Sequence, residues 1–338
     1  MSIGLDIGSK TIKVVELSFD GDKATLKAAG AVGYKGINIP EVEDKKSFVD
    51  LATAIKKLFS EAKVSSKNVS VSLPESQVYT RVLKFPLLTD QEVASAVKWE
   101  AEEYIPIPLK DAVIEHQILE RVETSTPPQV IVLLIAVPRK LVEKYVSICT
   151  MAGLECVGVE TELMSAVRCI APPGKTVVIV DFGAKSTDIA IAKNGELFLS
   201  RSIPTAGDAL TRSVAQTLGV SGPQAEEYKR AYGLASGQLE GKVSRTLAPV
   251  VESIAEEIKK AIQYYQMDLK GESPTSVFLT GGSAGLPDIA PLFTKLLGSE
   301  VVIASAFSRV SVDDKSSKSL ANFAPLYPIA VGLALRKD

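Results

Sequence analysis

Two short stretches place a carboxylate, a glycine and small polar residues at the end of an apolar run. Near the start, Ile3 to Glu16 reads IGLDIGSKTIKVVE, with Asp6, Gly8 and Ser9 where the apolar run stops. In mid-chain, Val177 to Ala192 reads VVIVDFGAKSTDIAIA, with Asp181, Gly183, Ala184, Lys185 and Ser186 in the same relation. Asp6-Ile7-Gly8-Ser9 matches Asp181-Phe182-Gly183-Ala184 position for position. Glycine lets backbone approach a ligand closely, so that free N–H groups can face a phosphate. A carboxylate beside them can hold Mg²⁺, usually through the ion's water shell. Taken singly, each stretch also reads as an ordinary hairpin with a polar turn. The repetition points instead to two related half-domains facing one phosphate-bearing ligand. A third loop, Val277 to Asp288 (VFLTGGSAGLPD), runs a short apolar strand into Gly281-Gly282. Ser283 to Leu286 is expected to open a helix, whose N-terminus would attract phosphate. No G-x-x-x-x-G-K-[ST] pattern is present, which disfavours a P-loop.

The elements that must carry these loops follow from periodicity. Ile3 to Leu17 and Lys23 to Gly33 read as strands, turning at Asp20-Gly21-Asp22. Lys45 to Ala62 spaces Phe48, Leu51, Ile55, Leu58 and Phe59 as one helical face, and Val69 to Leu73 is a strand. A different unit spans about Val78 to Gly153. Its strands are Val78–Phe85, Ala112–Glu120 and Gln129–Val137, and Pro138 to Met151 is its last helix. Between the first two strands lies a helix that Thr89 caps with Glu92 as a capping box. Leu83, Phe85, Ile105 and Ile107 belong to the core of this module or line a groove on it. Leu154 to Val159 returns to the first sheet, and Glu160 to Ile170 crosses as a helix to the second hairpin. Beyond it come a strand (Leu197–Ile203), helices from Gly207 and from Ser221, and a long helix over Thr246–Leu269. The buried stripe of that helix is expected at Leu247, Val250, Ile254, Ile258, Ala261, Tyr265 and Leu269. Ser311 to Asn322 reads as a polar surface loop, and Ala324 to Leu335 as the closing helix.

Composition bounds the function classes. A chain of 338 residues suits two domains. A net charge of −2 argues against non-specific attraction to nucleic acid or a membrane surface. The longest apolar run, Val130 to Val137, is too short to span a bilayer, and the chain opens on a strand, not a signal peptide. Cys149, Cys156 and Cys169 lack metal spacing and read as small core residues in a reducing cytoplasm. The one histidine, His116, sits in an alternating segment and excludes a histidine-rich metal centre.

The three loops, in this order and spacing, resemble the actin-like ATPases, the superfamily of actin, DnaK-type chaperones, sugar kinases and FtsA. Whole segments are similar to the PilM family of type IV pilus assembly proteins: GLDIGSKTIKVVEL, PLLTDQEVASAVKWEAEEYIPIPLKDAVIEHQIL, FSRVSVDD and PLYPIAVGLALR. The resemblance implies an α/β, actin-like (ribonuclease H-like) duplicated fold around a nucleotide cleft, with an inserted FtsA-type α+β subdomain. The first half would span 1–77, completed by about 154–170 and 325–338. The insert would span 78–153 and the second half 171–324. FtsA ends in an amphipathic membrane helix, whereas this sequence ends on Arg336-Lys337-Asp338, which favours the pilus family and speaks against C-terminal anchoring.

The resemblance also assigns roles, residue by residue. Asp6 and Asp181 fall on the aspartates around Mg²⁺, and Lys13 on actin's phosphate-binding lysine. Gly8, Ser9, Lys10, Gly183, Ala184 and Lys185 become phosphate contacts. Gly207 and Asp208 match the loop near ribose and phosphates, and Gly281, Gly282 and Ser283 the adenosine loop. Glu226 and Lys229 resemble the pair flanking adenosine; their spacing alone equally makes an i,i+3 salt bridge. Glu162 and Asp188 are candidates to orient attacking water, Asp188 standing where actin has a histidine. Glu162 also reads as an exposed carboxylate favoured at a helix start. Because water placement sets the rate of phosphoryl transfer, a changed orienter implies weak or slow ATP hydrolysis. The expected protein is then a cytoplasmic ATP- and Mg²⁺-binding scaffold. It would sit at the inner membrane through the N-terminal cytoplasmic tail of a PilN-like partner, held between the first half and the insert. Two alternatives share the fold: a metabolic kinase, for which no spare catalytic carboxylate is visible, and an FtsA-like filament-forming division protein.

Overall fold

The computed structural model describes residues 1–34 and 37–337. The chain starts as a meander, β1 (Ser2–Ile7), β2 (Thr11–Asp20) and β3 (Lys23–Gly33). The helix α1 (Lys45–Ala62) follows, started by the Asp44 side chain accepting the Ser47 N–H and stopped by left-handed Lys63. Then come β4 (Asn68–Leu73), β5 (Tyr79–Pro86) and α2 (Asp90–Tyr104), whose Thr89–Glu92 capping box forms as expected. Next are β6 (Ala112–Val122), β7 (Gln129–Pro138), α3 (Arg139–Met151), β8 (Glu155–Thr161) and α4 (Glu162–Ile170). The later part runs β9 (Thr176–Phe182), β10 (Thr187–Lys193), β11 (Glu196–Ile203), α5 (Gly207–Leu218), α6 (Gly222–Tyr232) and α7 (Lys242–Met267). It closes with β12 (Val277–Thr280), α8 (Ile289–Leu297), β13 (Val301–Ile303), β14 (Val310–Ser311), α9 (Asp314–Leu320) and α10 (Pro328–Ala334).

Two sheets share one topology. The first is ordered β14-β3-β2-β1-β4-β8, the second β11-β10-β9-β12-β13. In each, an antiparallel meander is extended by a parallel strand: β4 beside β1, and β12 beside β9. The chain is therefore a duplication, and the two acidic glycine turns occupy equivalent ends of equivalent strands. Parallel strands need both faces covered. The outer face of the first sheet is covered by α1 and α3, through Leu51, Ile55, Leu58, Tyr145 and Ile148. That of the second is covered by α5, α7 and α8, through Leu210, Val251, Ile258 and Phe293.

Between the sheets lie α4 and α10, joined in one core by Leu163, Ala166, Val167, Val331 and Leu333 with Ile179 and Ala190 of the second sheet. Their crossing is tight. A Cβ on Gly332 would stand 1.8 Å from the Ser165 carbonyl oxygen, and one on Gly4 1.9 Å from that of Ala330. Glycine at these two places lets backbone touch backbone.

A third sheet, β5-β7-β6, carries α2 on one face through Val93, Val97 and Ala101. Leu83 and Ile105 are buried there, with Phe85 and Ile107 packed against them, so all four serve the core of this module. Its other face reaches both halves. Leu133 and Ile135 join the central core, and Leu119 and Ile131 pack on that of the second half.

Several elements differ from expectation. The long helix begins at Lys242, and Val243, Val251 and Ala255 are buried where Val250 and Leu269 are only partly so. Ser283 to Leu286 is a run of tight turns, and α8 begins only at Ile289. The closing helix is shorter, preceded by a helical turn over 321–326. Part of the presumed loop 311–322 is helical, as α9. Seven residues long and without a buried side chain, it is held by Asp313 accepting the Lys315 and Ser316 N–H groups.

Candidate functional site

The two turns are closed in the same way: Gly8 N–H donates to Thr11 O and Gly183 N–H to Ser186 O, each at 3.1 Å. Strand register then sets what stands across from each aspartate. Asp6 on β1 faces Lys13 on β2, whereas Asp181 on β9 faces Asp188 on β10. The first hairpin is therefore neutralised internally, with the buried Lys13 ammonium 2.9 Å from Asp6 Oδ2. Burial pulls Lys13 down, yet Asp6, with Asp181 and Glu162 beyond it, holds it above its ordinary value. The second hairpin has no such cation. Burial, then the charge of Asp188, pushes Asp181 up to about 7. Asp188, buried and near Glu75, is also pushed up to about 7, although Ser186 Oγ donates to its Oδ2 at 2.8 Å. Asp188 Oδ1 is buried with no hydrogen-bond partner among the described residues. Glu162 opens α4 at the same floor, and burial with the charges of Asp188, Asp6 and Asp181 raises it well above the carboxylate range. It accepts the Glu75 N–H at 3.1 Å.

The loops of the second half are tied together by backbone. Gly207 N–H donates to Gly183 O at 3.1 Å, and Asp208 N–H to Ala184 O at 2.8 Å. The first donors of α5 are thus already used; Gly207 packs closely, a Cβ there standing 2.9 Å from Ser283 Oγ, and Asp208 offers a carboxylate. Ser283 joins them, its N–H to Phe182 O at 3.0 Å and its Oγ to Gly183 O at 3.2 Å. Gly281 has φ +88°, and a Cβ there would stand 2.3 Å from Asp181 Oδ1. Only glycine lets the third loop pass so close to that carboxylate. Behind it, buried Lys229 reaches Glu226 Oε2 at 2.7 Å, Thr211 Oγ1 at 3.0 Å and Gly207 O at 3.1 Å. Burial pulls Glu226 up, but Lys229, Thr211 and Arg230 together bring it down to about 2. This pair is a salt bridge and a wall of the cleft at once.

Every residue singled out above for metal, phosphate, adenosine or water lines one cavity of about 960 Å³ between the halves. Ser9, Lys10, Lys185 and Gly282 complete its rim, and Lys10 of the first half forms an ion pair with Asp208 of the second. Among the described residues no three carboxylate, histidine or cysteine side chains converge enough to hold a metal unaided. The acidic floor still fits a hydrated cation that a second ligand helps to hold, because an unpartnered buried carboxylate oxygen needs a donor or an ion. Local pattern did not mark Tyr34, which braces the first turn from behind by donating its hydroxyl to Gly8 O at 2.7 Å, or Tyr145, which lines the cavity. Nor did it mark Asn322, Phe323 and Leu326 from the segment before α10. None of these has a spacing signal; the fold alone brings them in.

A second cavity of about 340 Å³ lies where the third sheet meets both halves. Glu75, Tyr79, Arg81, Tyr104 and Ser200 line it, and Arg81 lies 3.5 Å over the Tyr104 ring. Buried Glu75 Oε1 there has no hydrogen-bond partner among the described residues.

Duplicated halves with paired acidic glycine turns around one cleft define an actin-like fold. MreB 5 of Spiroplasma citri, solved with AMPPNP, shares it with a TM-score of 0.56 at 15% identity over 98% of this chain and 93% of that one. The family described as type IV pilus assembly protein PilM matches residues 4–338, and the chain belongs to it. A solved PilM-PilN type IV pilus biogenesis complex superposes with a TM-score of 0.85 at 26% identity, covering 99% of this chain and 98% of its counterpart. Among curated relatives, the cell division protein FtsA of Streptococcus pneumoniae is 25% identical over 341 residues, 88% of this chain and 74% of its own length.

Proposed function

We propose that the cleft binds ATP with Mg²⁺ and that the protein serves as a nucleotide-responsive scaffold in assembling a type IV pilus or related machine. Membership of the PilM family supports the machine. The observation that carries the nucleotide reading is the convergence of both acidic turns and the third glycine loop on one cavity. Bound Mg²⁺ would supply positive charge between the carboxylates and the phosphates. Asp6 and Asp181, with Asp188 beside them, would hold its water shell. Lys13 and Lys10, with the turns at Gly8–Ser9 and Gly183–Lys185, would meet the phosphates. Gly207–Asp208, Glu226, Lys229 and Gly281–Ser283 would enclose the nucleoside side.

Turnover is expected to be slow. Glu162 is engaged by the Glu75 N–H and Asp188 by Ser186, so neither is poised solely toward an attacking water. The partner reading rests on the family and on the PilM-PilN complex. We place the N-terminal tail of a PilN-like membrane protein between the first half and the module 78–153, where the smaller cavity offers hydroxyls and an unsatisfied carboxylate. An extended tail is recognised there by main-chain hydrogen bonds and side-chain pockets. No helix among the described residues is long and apolar enough to cross a membrane. In this reading the protein sits in the cytoplasm at the inner membrane through its partner.

Calorimetric titration with ATP tests the cleft. Wild type is expected to bind only with Mg²⁺ present, and Asp6→Ala and Asp181→Ala each to lose binding while keeping their circular dichroism. Unchanged affinity in both variants would overturn the assignment. Titration of a synthetic PilN tail tests the partner, and silence at high micromolar peptide would remove it.

A further inference from the structure

The cleft has two chemically different ends. One is ionic, with Asp6, Lys13, Asp181, Asp188 and Glu162. The other, carried by the third glycine loop and the segment before α10, is apolar, with Leu286, Phe323, Pro325 and Leu326. Leu286 is buried, but Phe323 stays 54% exposed although it lines the cavity. The segment bearing it is pinned beside the loop, Gly281 N–H and Thr280 Oγ1 both donating to Pro325 O at 2.8 Å. Tyr327, four residues on, is already paired with Phe307 at 5.6 Å between ring centroids. The facing loop presents glycines: a Cβ at Gly285 would meet nothing within 4 Å, and one at Gly282 only Leu326 Cδ2 at 3.6 Å. The loop to which the Phe323 segment is pinned therefore leaves space open at Gly282 and Gly285.

We infer that Phe323 is the platform on which the base of a bound nucleotide stacks, and that it makes the cleft prefer purines. The inference rests on the nucleotide reading above and adds to it the residue that sorts bases. A ring of this kind stacks on any base, but a purine offers it the larger face. The phosphates would be held at the ionic end whatever the base.

Separate probes distinguish the two ends. Mg-ATP, Mg-CTP and Mg-tripolyphosphate are titrated into wild type, Phe323→Ala and Phe323→Trp. ATP is expected to bind wild type more tightly than CTP. Phe323→Ala should weaken ATP about tenfold or more, bring ATP and CTP together, and leave tripolyphosphate unchanged. Phe323→Trp should restore ATP affinity. In a Trp99→Phe background, which removes the chain's one native tryptophan, its fluorescence should be quenched by ATP and not by tripolyphosphate. Equal ATP affinity of wild type and Phe323→Ala overturns the platform while leaving the phosphate site standing. So does an equal loss for tripolyphosphate, which would make the ring a support of the loop. If wild type binds neither ATP nor tripolyphosphate, the platform and the nucleotide reading fall together.

Discussion

At the scale of single residues, the duplication is informative where its copies disagree. Position for position, Lys13 in the first hairpin corresponds to Asp188 in the second, so a neutral pair is replaced by two facing carboxylates. The consequence is measurable without any ligand. Asp188 is raised to about 7 in the folded protein, against an ordinary value near 4. A carboxyl raised by folding binds its proton more tightly in the native state. Its stabilising contribution is complete below about pH 4 and is lost as pH climbs toward about 7. Asp188→Asn should therefore raise the melting temperature of the ligand-free protein at pH 8, by an amount on the order of a few kcal/mol of stability. Near pH 4 the variant and wild type should converge. Equal melting temperatures at pH 8 would mean that this buried charge costs nothing. The aspartates and glycines of both turns were legible because chemistry and spacing coincided twice. That Lys13 and Asp188 each stand directly across from the aspartate of their own hairpin was not, since only strand register sets it.

Elements were legible in proportion to the apolar stripe they bury. The faces of α1 and α2 stand out because Leu51, Ile55 and Leu58, or Val93, Val97 and Ala101, pack on a sheet. With no buried residue, α9 carries no such stripe, and its polar sequence looks like a loop. The boundaries of α7 and the turns after Gly281 depend on tertiary contacts, such as Gly281 N–H to Pro325 O, that no local window contains. Two predictions belong here. Asp313→Ala should cost α9 about 1 kcal/mol and raise hydrogen exchange over 315–320, leaving the global urea midpoint unchanged, because the helix fully buries no side chain and only Leu320 at its end packs on the core. Gly332→Ala should act globally. Its methyl would meet the Ser165 carbonyl at 1.8 Å, forcing α4 and α10 apart at a cost of about 3 kcal/mol or more. A large drop in the urea midpoint is expected, and an unchanged midpoint would mean that the crossing can relax.

Across the whole molecule, the question is what joins the halves when the cleft is open to solvent. The central helices and the module both bridge them: Thr80 Oγ lies 2.8 Å from Ser200 Oγ, and Lys193 Nζ 2.8 Å from Glu120. At the mouth itself, Lys10 from the first turn pairs with Asp208 at the start of α5. Both side chains are partly exposed, so the pair contributes at most about 1 kcal/mol and is easily exchanged. A phosphate entering between the turns would compete with Asp208 for the Lys10 ammonium. Lys10→Ala should therefore weaken Mg-ATP several-fold. Asp208→Asn, which frees the ammonium beforehand, should tighten it about two- to fivefold at low salt, and screening should erase that gain near 0.5 M salt. Titrations at two ionic strengths decide the matter. If Asp208→Asn weakens ATP as much as Lys10→Ala does, the carboxylate is itself a contact to the nucleotide, and the pair is part of the site rather than a clasp across its mouth.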